Sequence, residues 1–342
     1  MVKNKIKRLL WVDVMRVVAI YFVVLVHTST LPLNLLDIRS SFPYIVSFSL
    51  VKVCVPLFVM LSGALLLGKQ ESISFFFSKR AIKVFLPWIL WTFIYMAWNY
   101  NVHSYHPSNS SQWKYFFELT FFSQLWFLPL IFSLYILTPI LRLFVTNMTK
   151  PQRIYLIIAW FVFVSLVPFF HTGTTFPRAD DAGLVPLSIY YSGYFILGYF
   201  LTILKLPKNA VRRSLGLVLI GIAFTFIELG LARGQHIFDY FAPGIVVTSI
   251  GVFLLVYSYF LNLKTNKRFG HLLAQIGSAS LGIYVVHGLI AEILRFVAPG
   301  LSSILGGAPL LQGYFYALVL FVVSFIFVLI LKKTPVLRVL VP

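Results

Sequence analysis

Leu10-Trp11-Val-Asp13-Val-Met-Arg16-Val-Val-Ala-Ile-Tyr-Phe-Val-Val-Leu-Val-His27 is apolar over almost the length of a membrane span, yet it holds an arginine and a histidine. A spanning helix needs ~20 mostly apolar residues, and this run continues to about Leu31. The basic residues ahead of it, Lys3, Lys5, Lys7 and Arg8, give it the look of a signal peptide. The small-residue cleavage pattern is missing from His27-Thr-Ser-Thr-Leu-Pro32, so a retained signal anchor is expected. Arg16 and His27 are separated by about three turns, which puts them on one face, roughly 16 Å apart along the axis. Asp13 precedes Arg16 by one helical step and can pair with it.

Such runs recur along nearly the whole chain. The 342 residues are 60% hydrophobic and 11% charged, against ~45–50% and ~25% in soluble domains. The predicted fold is therefore an all-α integral membrane protein, a polytopic bundle of about ten transmembrane helices. The expected spans are 12–31, 44–67, 84–100, 124–145, 154–170, 184–204, 215–232, 244–262, 279–297 and 314–331, the third and fifth being short. Connectors are brief and rich in Pro, Gly, Asn and Ser, so residues 1–342 are expected to form one transmembrane domain with no separate soluble domain. No sequence repeat of the inverted-transporter kind is visible.

The net charge of +19 would point to nucleic acid in a soluble protein. Here its distribution gives orientation instead. With the N-terminus inside, 21 of the 28 Lys and Arg residues fall on the inner side and 5 on the outer, while Arg16 and Lys52 lie within spans. This bias predicts that the N-terminus and C-terminus are cytoplasmic. No nucleic-acid partner is expected. Cys54 is the single cysteine, which excludes an internal disulfide and any multi-cysteine metal site. The outer loops carry Asp37, Glu118, Asp180, Asp181 and Asp239 with Trp113, Tyr115 and Tyr240. Carbohydrate sites combine such groups, but so do exposed loops and interfacial belts.

Ionisable groups inside a bilayer are costly and face a cavity or a partner. Arg16, His27, Lys52, Glu228 and His287 are such groups. Arg16 alone could snorkel to the inner interface, and His27 alone could be an interhelical hydrogen bond. Their shared face favours a common cavity, in which His27 can act as a general base. His287 either orients substrate or the first histidine, or only holds two helices together. Lys79-Arg80-Ala-Ile-Lys83 is either an ordinary topology signal or an anion site for donor phosphates. No nucleotide-binding loop, GxGxxG, HExxH or GxSxG stands where it would carry meaning.

In order along the chain, these features resemble the membrane acyltransferase-3 family. The resemblance rests on Asp13 with Arg16-x10-His27, Pro56-Leu-Phe-Val-Met-Leu-Ser62-Gly63, Arg80-x-x-Lys83 before Pro87, Leu125-Trp126-Phe127-Leu128-Pro129, Tyr194-Phe-Ile-Leu-Gly198-Tyr199 and Ser280-Leu-Gly-Ile-Tyr284-Val-Val-His287. Within that family the chain resembles stand-alone O-acetyltransferases of envelope glycans, enterobacterial common antigen among their acceptors.

The resemblance implies ten transmembrane helices, a multi-pass location in the bacterial cytoplasmic (inner) membrane, and acetyl-CoA or another acyl-CoA as a cytosolic donor substrate. No permanently bound cofactor or metal is implied. The acceptor would be a hydroxyl of a glycan or lipid-linked glycan. Lys83 stands where the family often has a second arginine, keeping charge but losing the bidentate fork. The chain ends at Pro342 soon after its last span, whereas peptidoglycan-modifying relatives often carry a C-terminal domain, which lowers the expectation of that acceptor.

The expected roles are His27 and Arg16 in catalysis, Arg80 and Lys83 on the donor phosphates, and Asp13, Trp126 and His287 in substrate contact or support. Direct transfer is expected ahead of a relay through Ser29, Ser62 or Cys54. The rival classes are a polysaccharide exporter or proton-coupled transporter, and a non-catalytic subunit of a synthase complex.

Overall fold

The computed structural model describes residues 9–28, 38–103, 124–172, 184–231, 239–304 and 309–342. Among these there is no strand. The elements are α1 (Leu10–Thr28), α2 (Ile38–Val51), α3 (Cys54–Leu66), α4 (Ile73–Arg80), α5 (Leu86–Val102), α6 (Phe127–Val145), α7 (Lys150–Phe161), α8 (Val167–Thr172), α9 (Leu184–Ile203), α10 (Ala210–Leu231), α11 (Pro243–Phe260), α12 (Lys267–Val297) and α13 (Pro309–Lys333). Nine helical stretches of the described residues are long and apolar enough to cross a membrane. The other expected span, 184–204, is α9, whose apolar part is Leu187–Ile203. The third and fifth spans are not short. They run over Ile73–Val102 and Lys150–Phe170, 30 and 21 residues, because helix extends into polar flanks that a hydropathy reading trims away.

Both of these spans contain a π turn, Ala81–Phe85 joining α4 to α5 and Val162–Leu166 joining α7 to α8. Each turn is followed by a proline, Pro87 or Pro168. Proline has no N–H, and its ring clashes with the carbonyl four residues back, here Lys83 or Val164. The widened turn absorbs that clash without ending the span.

α1 is central and packs against α3, α11, α12 and α13. Met15, Ala19, Ile20, Val24 and Leu25 are fully buried there. Small residues set the closest crossings, as is usual where lipid removes the hydrophobic drive between helices. A Cβ at Gly63 of α3 would lie 1.7 Å from the Phe195 carbonyl oxygen of α9, and one at Gly198 would lie 1.9 Å from the Met60 carbonyl oxygen. Glu228 of α10, read as a costly intramembrane charge, is buried and accepts a 2.7 Å hydrogen bond from the Gly244 N–H. It caps the start of α11. The expected outer-loop residues Asp37, Glu118, Asp180, Asp181, Trp113 and Tyr115, together with Ser29 and the N-terminal lysines, lie outside the described residues.

Candidate active site

His27 sits in the last turn of α1, at the end of the bundle away from the basic clusters. Its Nδ1 lies 2.7 Å from the Val23 carbonyl oxygen. A carbonyl only accepts, so Nδ1 carries the proton of the neutral ring and Nε2 keeps its lone pair. His287 of α12 repeats the arrangement, with Nδ1 2.6 Å from the Tyr284 carbonyl oxygen. The two rings meet with centroids 4.9 Å apart and planes inclined by 57°. His287 is 1% exposed and its Nε2 has no hydrogen-bond partner among the described residues, whereas His27 is exposed. Each histidine bonds to its own helix, and among the described residues neither makes an interhelical hydrogen bond. The contact between their helices is ring against ring.

Trp126 belongs to a short 3-10 turn, Gln124–Trp126, that leads into α6. That turn is tied to the His287 helix through Tyr284, whose hydroxyl accepts from the Phe127 N–H at 3.3 Å and donates to the Gln124 carbonyl. The Tyr284 ring lies 6.0 Å from His287. Trp126 itself packs with Tyr240 and Tyr191 at 5.8 and 6.1 Å. It stands in the aromatic wall beside the histidines and is not in ring contact with them. Lys52 lies 5.0 Å over the Tyr240 ring.

At the basic end, Asp13 is buried and close-packed on α12, where a Cβ at Gly277 would lie 3.3 Å from Asp13. Both Asp13 and Arg16 are engaged by neighbours. Arg16 and Arg80 both act on Tyr135, so the two cations share one neighbourhood. Arg80 does not stand alone with Lys83. It is buried, bonds to Glu71 at 3.0 Å and to the Phe76 carbonyl at 3.1 Å, and stacks 4.0 Å over the Phe76 ring. Arg142 of α6 reaches the same carboxylate at 3.1 Å and the Leu66 carbonyl at 2.8 and 3.0 Å. Burial alone would raise the Glu71 carboxyl, but the hydrogen bonds from Arg142 and Arg80 outweigh it and hold the group below its ordinary value. Lys69 and Lys79 lie within electrostatic reach of the same cluster.

Lys83 is exposed and lies near Lys332 of α13 instead. Three residues apart, Arg80 and Lys83 would share a face of an α-helix. The π turn that begins at Ala81 changes that register. Arg142 and Glu71 were missed as site residues because their sequence distance from Arg80 hides the contact, and Arg142 counted only as a topology charge.

The family model described as an acyltransferase domain, acyltransferase 3, matches residues 9–331. The chain belongs to the acyltransferase-3 family. Comparisons with curated proteins and with solved structures give no match. The match runs from just before α1 to within two residues of the end of α13, so both ends of the site fall inside the acyltransferase-3 domain. The protein is a multi-pass membrane acyltransferase, and the transporter and synthase-subunit readings give way to acyl transfer. As for a relay, Cys54 is fully buried with the Tyr240 hydroxyl on its sulfur, and Ser62 donates to the Phe58 carbonyl at 2.9 Å.

Proposed function

We propose that this acyltransferase moves an acetyl group from cytosolic acetyl-CoA to a hydroxyl of an envelope polysaccharide or its lipid-linked precursor. The basic end would face the cytosol, in the bacterial inner membrane. The observation that carries the chemistry is the histidine pair, with His27 Nε2 left as a lone-pair base by the bond from Nδ1 to Val23. The acceptor hydroxyl gives its proton to that nitrogen as its oxygen attacks the thioester carbon. The thiolate leaves and takes that proton from His27, so no covalent enzyme intermediate is needed. The His287 ring holds the His27 ring from one side.

The donor enters from the basic end. Arg80 and Arg142 bond to the carboxylate of Glu71 and Lys69 lies within its electrostatic reach, so the cluster keeps net positive charge for the donor phosphates. Arg16 stands on the path between that cluster and His27, and the roughly 16 Å rise between them suits an extended pantetheine arm. Lys83 adds charge at the rim of this end.

Mass spectrometry of envelope glycans from a deletion strain tests the reading. Acetyl esters should disappear, return with the wild-type gene, and stay absent with a well-expressed His27→Gln variant. An unchanged acetylation pattern in the deletion strain would overturn the acceptor assignment.

A further inference from the structure

Lys52 is placed by an interruption in the backbone. Within the span Phe42–Leu66, α2 ends at Val51 and α3 begins at Cys54, with Lys52 and Val53 in a turn between them. Broken helices survive inside a membrane where the irregular backbone is covered by protein or lines a site. A lysine within a span is costly and marks a functional position when it is held by partners. Here its ammonium lies over the Tyr240 ring, 5.0 Å from the centroid, and the Tyr240 hydroxyl contacts the sulfur of Cys54 in the first turn of α3. Tyr240 also packs against Trp126. The ammonium charge acts on His27 as well as on Cys54. The Lys52 cation is therefore within electrostatic reach of the base, while the neighbouring His287 Nε2 is buried with no hydrogen-bond partner among the described residues. The distribution of basic residues does not explain Lys52, because it lies inside the span rather than at its end.

We propose that Lys52 is a further catalytic residue whose ammonium stabilises the oxyanion that forms on the acyl donor's carbonyl oxygen as the acceptor attacks. This rests on the acetyl-CoA reading above. In the forward step the acceptor oxygen bonds to the carbonyl carbon, its proton passes to His27 Nε2, and the C=O pair moves onto oxygen. Collapse restores the C=O bond and breaks the C–S bond, and the thiolate takes the proton from His27. His27 handles the proton and Lys52 the transient negative charge. A donor aimed at that oxygen acts only when charge develops, so it raises turnover more than ground-state binding.

Inverted membrane vesicles carrying the full-length protein and the native acceptor, supplied with radiolabelled acetyl-CoA, test this. Lys52→Met should lower the saturated rate by about 10²-fold or more, with half-saturation for acetyl-CoA unchanged. Lys52→Arg should recover most of the rate because it keeps the cation. Should the methionine variant fail to accumulate as a monodisperse protein in detergent, Lys52→Gln, polar and of similar length, replaces it with the same expected loss. A wild-type saturated rate in Lys52→Met or Lys52→Gln overturns the role of Lys52. So does a loss seen only as weaker acceptor saturation, which would make Lys52 a recognition group. No label transfer by wild-type vesicles overturns the donor reading itself, which separates the two failures.

Discussion

The hydrogen bond from His27 to the Val23 carbonyl decides which nitrogen can do chemistry. Glutamine at position 27 keeps hydrogen-bonding capacity but not basicity, so His27→Gln and His27→Ala should both lose about 10²-fold or more in acyl transfer at normal expression. Neither should unfold the protein, since among the described residues His27 bonds within its own helix, and even interhelical hydrogen bonds average only ~0.6 kcal/mol. Radiolabelled acetyl transfer at equal protein measures this, and a near wild-type rate in His27→Gln would remove His27 as the base. The wild-type rate should fall on acidification as the lone pair on Nε2 is taken up by a proton. At this scale the sequence was informative wherever the partners share a helix. Arg16 and His27 could be placed on one face because a helix has a fixed period. The partnership of His27 with His287 was not legible, because no local period links residues on α1 and α12. Lys52 stood out only as a charge where none is expected. Its proximity to His27 and Tyr240 depends on how three separate helices pack.

Elements, rather than residues, explain why the basic cluster departs from its expected form. Glu71 lies between α3 and α4 and draws in Arg80 from α4 and Arg142 from α6, fastening the end of one span to its neighbours. Removing one partner of a largely buried ion pair leaves the others uncompensated, at a cost of about 3–5 kcal/mol. Glu71→Gln should therefore lower the thermal midpoint in detergent, and an unchanged midpoint would show that the cluster contributes no stability. The folded carboxyl sits below its ordinary value. Its stabilisation is thus complete above the unfolded carboxylate pKa and lost as pH falls through the lower folded value. For donor binding, Arg80→Ala should weaken acyl-CoA affinity roughly tenfold or more, while Lys83→Arg should be mild, as measured by titration calorimetry. Equal, unchanged affinities would return the cluster to a purely structural role. The α3–α9 crossing makes a sharper packing test. A methyl at Gly63 meets backbone, which cannot rotate away, so Gly63→Ala should destabilise by at least about 1–3 kcal/mol. Gly216 in α10 has nothing within 4 Å of a Cβ and serves as the control; Gly216→Ala should be neutral or stabilising by up to about 1 kcal/mol.

Across the whole molecule, the separation of charge from chemistry is what the proposed reaction needs. The arginines and Glu71 gather at one end, and the histidine pair with its aromatic wall stands at the other. A hydrophilic donor confined to the cytosol and an acceptor on the far face can then meet within one bundle, each entering from its own side. That arrangement holds only if the basic end is cytoplasmic. The succession of spans was legible because hydropathy marks each one independently: among the described residues nine are long and apolar enough to cross and the other is the shorter apolar helix Leu187–Ile203, whereas span ends were trimmed where helix continues past the apolar window, as at Ile73 and Lys267. The distribution of Lys and Arg, 21 against 5, predicts that the basic end is cytoplasmic. Single cysteines placed in a Cys54→Ser background and treated with a membrane-impermeant maleimide in intact cells test it. Cys54 is fully buried, so its replacement removes background at little surface cost. A cysteine at Ser110 should label in intact cells, and one at Lys208 only after permeabilisation. The reverse pattern would place the Glu71 cluster outside, beyond reach of a cytosolic donor, and the reaction path would have to be redrawn with the histidine end facing acyl-CoA.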